Sequence, residues 1–192
     1  MKIAPLYMNI LLLAGLACIA FMSLFIGAAN LTPGEIFAAL TGTASDSVQI
    51  IVLELRLPRV LLGIFAGATL GLSGAALQGL LRNPLADPGV IGVSATASLG
   101  AVTAIYFGLS SIFPLAIQIL SMGGALIATF TLSVVSRRDS SVLTLILAGI
   151  GISSLATAAI SLAMNFAPNP MSLQDMIMWI LGSLDNRTMT DL

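Results

Sequence analysis

Four stretches of this 192-residue chain carry no charged side chain: 32 residues over 3–34, 22 over 60–81, 49 over 88–136 and 35 over 140–174. Each is at least as long as the ~20 apolar residues an α-helix needs to cross a hydrocarbon core. An ordinary soluble domain is about 25% charged; here charged residues make up 8% against 58% hydrophobic. The runs are therefore read as membrane spans and the fold class as all-α, a polytopic helical bundle.

Breaker residues divide the runs. The first span is placed at 6–29, longer than the ~7–15-residue apolar core of a signal peptide and so read as a retained helix. Thr32-Pro33-Gly34-Glu35 then has the spacing of a capped start, with Thr32 as cap, Pro33 in the first turn and Glu35 three residues on. A short helix at 33–40 is expected outside the membrane, followed by a Gly/Thr/Ser/Asp loop at 41–47. Residues 48–57 lead into a second span at 58–81. The 49-residue run must hold two spans, 90–107 and 115–135, separated by the Gly, Ser and Pro of 108–114. Arg137-Arg138-Asp139 marks a polar turn, the fifth span covers 142–166, and Pro168-Asn169-Pro170 ends it. Residues 172–184, with Asp175 and Trp179, suit an interfacial segment.

The charges orient the chain. Lys2, Arg82, Arg137 and Arg138 fall on one side, and Arg56, Arg59 and Arg187 on the other. The positive-inside rule then predicts a cytoplasmic N-terminus, five crossings, and an outward face holding Asp46 and Asp185. Arg56 and Arg59 stand against that rule and need a reason.

Several classes of function fall away. A net charge of −1 with no basic patch excludes a nucleic-acid partner. There is no histidine and only one cysteine, Cys18, which removes disulfide and His/Cys metal frameworks and leaves Cys18 as a small packing residue. No span has an ionisable group near its middle, as ion-coupled transporters usually do, and no histidine base or carboxylate pair accompanies the serines for intramembrane hydrolysis. A transporter energised from elsewhere fits, with no cofactor on this chain; a channel or membrane scaffold is the competing class.

Small and polar residues form stripes within the spans. Gly63, Gly67, Gly71, Gly74 and Gln78 lie within about 80° of one another on a helix, a face suited to close helix contact in lipid, with Gln78 hydrogen-bonded inside the bundle. The third span is dense in Gly, Ala, Ser and Thr. On the fifth, Gly149, Ser153, Thr157 and Ser161 step by four and make a mildly polar face, which either lines a water-filled path or bonds back to carbonyls one turn earlier.

Together these residues carry a resemblance. The ordered series Leu55-Arg56-Leu57-Pro58-Arg59, Gly67-Ala68, Ser73-Gly74, Gln78-Gly79, Asn83-Pro84-Leu85-Ala86-Asp87-Pro88-Gly89 and Gly92-Val93-Ser94 resembles the FecCD-type permeases of importers for ferric siderophores, haem and cobalamin. Leu147-Ala148-Gly149 and Trp179-Ile180-Leu181-Gly182-Ser183 extend it over nearly the whole chain. The resemblance implies a bacterial cytoplasmic-membrane complex of two permease subunits, identical or different, and two ABC ATPase subunits, served by an extracytoplasmic binding protein. The path would lie between the permeases and ATP would belong to the partner, while Ser153, Thr157 and Ser161 stand as path candidates on their own spacing alone. A family subunit has ten spans, so the five expected here make an N-terminal half in a single permease domain. The resemblance also supplies the reason for Arg56 and Arg59, as outward residues receiving carboxylates of the binding protein; the bland alternative is interfacial snorkelling. It makes Asn83, Pro84, Asp87 and Pro88 a structural turn at the cytoplasmic end of the second span.

Topology is open to a direct check. In a Cys18→Ala background, a cysteine replacing Asp46 is expected to react with an impermeant maleimide on intact cells, and one replacing Arg138 only after permeabilisation. The reverse pattern would invert the orientation.

Overall fold

The computed structural model describes residues 5–84, 87, 89, 91–138, 141–184 and 189. The described residues are helical, with no strand among them. They fall into two compact units, one of residues 1–70 with 184–192 and the other of residues 71–183.

In the first unit, α1 (Pro5–Ser23) is predominantly apolar, and none of its spanning window is buried against the rest of the chain. Cys18, expected to pack, is exposed on it. The helix stops six residues before the expected end at 29, and residues 24–32 leave helical geometry. Next comes α2 (Pro33–Leu40), whose start follows the local sequence chemistry. The Glu35 amide donates to Thr32 Oγ1 at 3.3 Å, and Glu35 Oε2 accepts from the Thr32 amide at 2.7 Å. The Thr32 backbone and hydroxyl donors hold the Glu35 carboxyl below its ordinary range. The box is accordingly intact above that range and is lost as pH falls through the lowered value. Ile36 and Ala39 of α2 are fully buried against Val52, with Phe25, Leu31 and Leu53 around them.

The second span begins much earlier than the expected 58. A continuous apolar helix runs over Asp46–Leu81, 36 residues, or about 54 Å at 1.5 Å per residue, which exceeds the ~30 Å hydrocarbon core. It comprises α3 (Asp46–Gln49), a π-helical stretch (Ile50–Arg56) and α4 (Leu57–Leu81). The π stretch explains how Pro58 sits inside a helix. A proline ring collides with the carbonyl four residues back and lacks an N–H. Here the turn before it is widened, with the Leu57 amide donating to Val52 O, five residues back.

Among the described residues, the glycine stripe of α4 is almost without neighbours. A Cβ on Gly67, Gly71 or Gly74 would meet nothing within 4 Å, and one on Gly63 only Leu184 at 3.7 Å. Gln78, expected to bond inside the bundle, is exposed, and its side chain makes no hydrogen bond among the described residues. Close packing along this face is therefore absent within the described chain.

It occurs instead in the second unit. There α5 (Val93–Tyr106) touches α7 (Ala116–Arg138), α8 (Val142–Asn165) and α9 (Pro170–Leu181), with the four-residue α6 (Leu109–Ile112) between α5 and α7. A Cβ at Gly100 would stand 2.1 Å from Leu120 O, and one at Gly124 2.2 Å from Thr96 O. As one number rises the other falls, so the two helices cross antiparallel with their backbones in contact, as small residues allow. Left-handed glycines bound α5, Gly92 at φ 81° and Gly108 at φ 62°. They limit it to 14 residues, about 21 Å, a shorter apolar helix than the expected 90–107. Two further boundaries shift. The fourth helix continues through Arg137 and Arg138, which the sequence suggested as a turn; Asp139 lies outside the described residues. The interfacial segment starts at Pro170, capped by Asn169 Oδ1 accepting from the Ser172 amide at 2.8 Å. It docks through fully buried Met176 on Val102 and Ile105.

These contacts separate the glycines by the sign of their effect. Gly100→Ala or Gly124→Ala is expected to lower the thermal midpoint of the detergent-solubilised chain, by about 1–3 kcal/mol of overpacking. Gly67→Ala should leave it unchanged or raise it through helix propensity, worth about 1 kcal/mol. A scan of the three variants decides it, and equal losses would contradict the crossing described.

Candidate functional site

The segment that carries Arg56 and Arg59 is built from the end of α1, the 24–32 connection, the π stretch and the start of α4. On a regular α-helix, residues three apart lie about 60° apart, so Arg56 and Arg59 would share a face. The structure separates them. Arg56 is 8% exposed, whereas Arg59 is exposed. Arg56 Nη1 donates to Leu24 O at 2.6 Å, and Nη2 donates to Ala29 O. Both guanidiniums line a groove of about 810 Å³ whose other walls include Ile19, Met22, Ile26 and Leu55. Snorkelling, the bland reading of both, does not describe Arg56, because its head points into the protein rather than toward water.

The polar face of the fifth span is divided as well. Steps of four drift by about 40° each on an α-helix, so Gly149 and Ser161 differ by about 120°. Gly149 is buried, and its carbonyl would stand 2.9 Å from a Cβ at Gly92. The Ser153 hydroxyl is buried without a hydrogen-bond partner among the described residues. Thr157 and Ser161 are exposed. Neither bonds back to a carbonyl, as Thr103 does to Leu99 O at 2.7 Å and Thr129 to Ala125 O at 2.9 Å. Of the sequence-derived set, Thr157 and Ser161 present open hydroxyls and Ser153 does not.

At the other end of α4 the helix is closed by the Asn83 amide donating to Gln78 O at 3.2 Å, with Arg82 in the left-handed region at φ 49°. Asn83 is half-buried, and Pro84 and Asp87 are exposed. Asp87 Oδ1 accepts from the Gly89 amide at 2.7 Å, which tightens the turn. Pro88 of the expected turn lies outside the described residues, as do Asp185 and Arg187.

Sequence reasoning missed Gly27. A Cβ there would come within 2.9 Å of Arg56 Nη2. The available signal was a glycine among small residues just after an apolar span, with a proline-adjacent arginine downstream.

Comparison with known proteins follows from this geometry. The FecCD transport family matches over residues 13–192. The cobalamin import system permease protein BtuC of Halobacterium salinarum is 39% identical over 142 residues, 72% of this chain and 37% of that protein. The vitamin B12 import system permease protein BtuC of Escherichia coli O127:H6 is 32% identical over 167 residues, 87% of this chain and 51% of that protein. A solved ABC transporter of the metal-chelate type, in an inward-facing conformation, superposes with a TM-score of 0.72 at 32% identity, covering 91% of this chain and 53% of that one. The chain thus spans about half the length, or less, of the relatives it matches. Among the described residues, four helices are long and apolar enough to cross a membrane. With the family matched over nearly all of its length, the chain belongs to the FecCD transport family and is a protein of the cytoplasmic membrane.

Proposed function

We propose that this chain is the N-terminal half of the permease domain of an ABC importer that carries a metal chelate inward, a ferric siderophore or a haem- or cobalamin-type ligand. The observation that carries the reading is the family match over residues 13–192, which takes in every described helix but the start of α1. The relatives named for cobalamin and vitamin B12 and the metal-chelate transporter agree on the chemical class: a large organic ligand enclosing a metal.

On this reading the chain is a conduit and not an enzyme. A second permease subunit completes the path, ABC ATPase subunits hydrolyse ATP, an extracytoplasmic binding protein delivers the ligand, and lipid surrounds the outer helices. No cofactor is needed on this chain. Thr157 and Ser161 supply uncharged hydroxyls to the path; such groups can hydrogen-bond a passing ligand without the tight grip a buried charge would impose. Arg59, the exposed member of the outward pair, offers a charge to carboxylates of the binding protein. The Asn83–Asp87 turn ends α4 on the cytoplasmic side.

The test is uptake by proteoliposomes containing the full permease with its ATPase, supplied with ligand-loaded binding protein. Accumulation is expected only with ATP and binding protein together; uptake that needs neither and merely follows the gradient would make the protein a channel. Within that assay, Thr157→Leu and Ser161→Leu should lower the uptake rate about tenfold, a barrier increase of about 1.4 kcal/mol. Gly67→Ala should leave the binding-protein requirement unchanged.

A further inference from the structure

At the end of the second unit that the charges place in the cytoplasm lies a groove the transport reading does not use. It encloses about 330 Å³ and is lined by the C-terminal parts of α4 and α7 and the starts of α5 and α8. Leu77, Leu81 and Leu132 of its lining are buried, and Leu80 is exposed. Thr129 and Ser133 line it too, yet their hydroxyls donate to Ala125 O at 2.9 Å and Thr129 O at 2.8 Å, one turn earlier. Their protons are spent on their own helix, so the lining offers an occupant mainly hydrocarbon contact.

Positive charge stands at the end of this groove. Arg82 directly follows Leu81 and Arg137 directly follows Ser136, both lining residues, and each arginine is exposed. Arg82 also sits in an unusual backbone state. At φ 49° it is the one non-glycine residue with a positive φ among those described. The Asn83 amide reaches back five residues to Gln78 O, the bond that closes a helix whose left-handed residue is usually glycine. Glycine would adopt that conformation without strain. A long cationic side chain there is a local cost that closing the helix does not require.

We propose that the groove seats an acyl chain of an anionic phospholipid from the cytoplasmic leaflet, with the lipid phosphate held by Arg82 and Arg137. A phospholipid matches the order of the groups: hydrocarbon along α4 and α7, then negative charge where the helices end. Basic pockets between membrane helices on the cytoplasmic side take such headgroups, and the guanidinium fork suits phosphate oxygens. An apolar protein helix in the groove would meet the leucines but leave both charges unanswered.

The test uses the full permease–ATPase complex in neutral detergent, titrated with phosphatidylglycerol, phosphatidylcholine or inorganic phosphate. Native mass spectrometry reads retained lipid, and a thermal scan reads the unfolding midpoint. Phosphatidylglycerol should be retained and raise the midpoint, the zwitterionic lipid should be retained less, and inorganic phosphate should leave the midpoint unmoved because it has no chain. Arg137→Gln and Arg82→Gly should each weaken phosphatidylglycerol retention about fivefold, the effect of one basic residue near an anionic surface. Leu80→Trp should lower retention with both arginines in place, by narrowing the groove. The glycine variant separates binding from structure. Its lipid-free midpoint should equal or exceed the wild type's, since glycine relieves the left-handed turn, while its response to phosphatidylglycerol shrinks. Wild-type retention in both arginine variants would overturn the proposal, as would a midpoint shift with inorganic phosphate equal to that with lipid. A protein occupant is detected by placing p-benzoylphenylalanine at position 80 and irradiating the complex in phosphatidylglycerol nanodiscs. Crosslinking to lipid is expected; crosslinking to the rest of the permease or to the ATPase instead would end the lipid assignment, and this arm stays decisive if an arginine variant fails to assemble.

Discussion

A backbone in hydrocarbon must satisfy its own amides and carbonyls, because no water is there to do so. This requirement shapes the first unit. Where α1 stops, at Ser23, the chain leaves helical geometry for nine residues, and the carbonyls it releases need donors. The guanidinium of Arg56, reaching from the π stretch, serves Leu24 and Ala29 at once. The widened turn that precedes Pro58 meets the same requirement from the other side, keeping the helix continuous where a proline would otherwise break it. This segment is thus held by one arginine and one irregular turn. It has little apolar bulk of its own beyond the small core around Ile36 and Val52.

The second unit is held differently. In lipid the hydrophobic effect does not drive helices together, so contact has to come from fit. Gly100 and Gly124 provide it by letting two antiparallel backbones touch. Ala101, Val102, Ala104 and Ile105 then bury one side of α5, and Met176 of α9 closes over Val102 and Ile105.

The functional reading draws on what these arrangements leave open. The face of α8 that emerges at Thr157 and Ser161 is polar without being charged, and of Arg56 and Arg59 it is Arg59 that is exposed. A permease driven by ATP on another subunit has no need of a titrating group inside the membrane, and the sequence has none to spare there. The open glycine face of α4 and the exposed α1 belong to a chain about half as long as its relatives.

Much of this was legible from residue order. Charge-free runs located the long helices, because a helix core in lipid tolerates almost no charge. Thr32 and Glu35 located α2 to the residue, because a capping box is a local interaction whose partners are three residues apart. The motif series located the family. What lay beyond reach were contacts between residues distant in sequence: Arg56 with Leu24 and Ala29, Gly100 with Leu120, Gly124 with Thr96, Met176 with Val102. Helical spacing put Arg56 and Arg59 on one face and strung Gly149 to Ser161 along another, but spacing describes an ideal isolated helix. A 40° drift per step spread the second set, and contacts with the 24–29 connection set Arg56 apart from Arg59. The sequence by itself determined that the chain is a set of apolar helices with a few charges at their ends, since burying charge in hydrocarbon is costly wherever it occurs. Only the tertiary structure decided which arginine is buried, which glycines touch and which hydroxyls stay open, since each depends on what another part of the chain places opposite it.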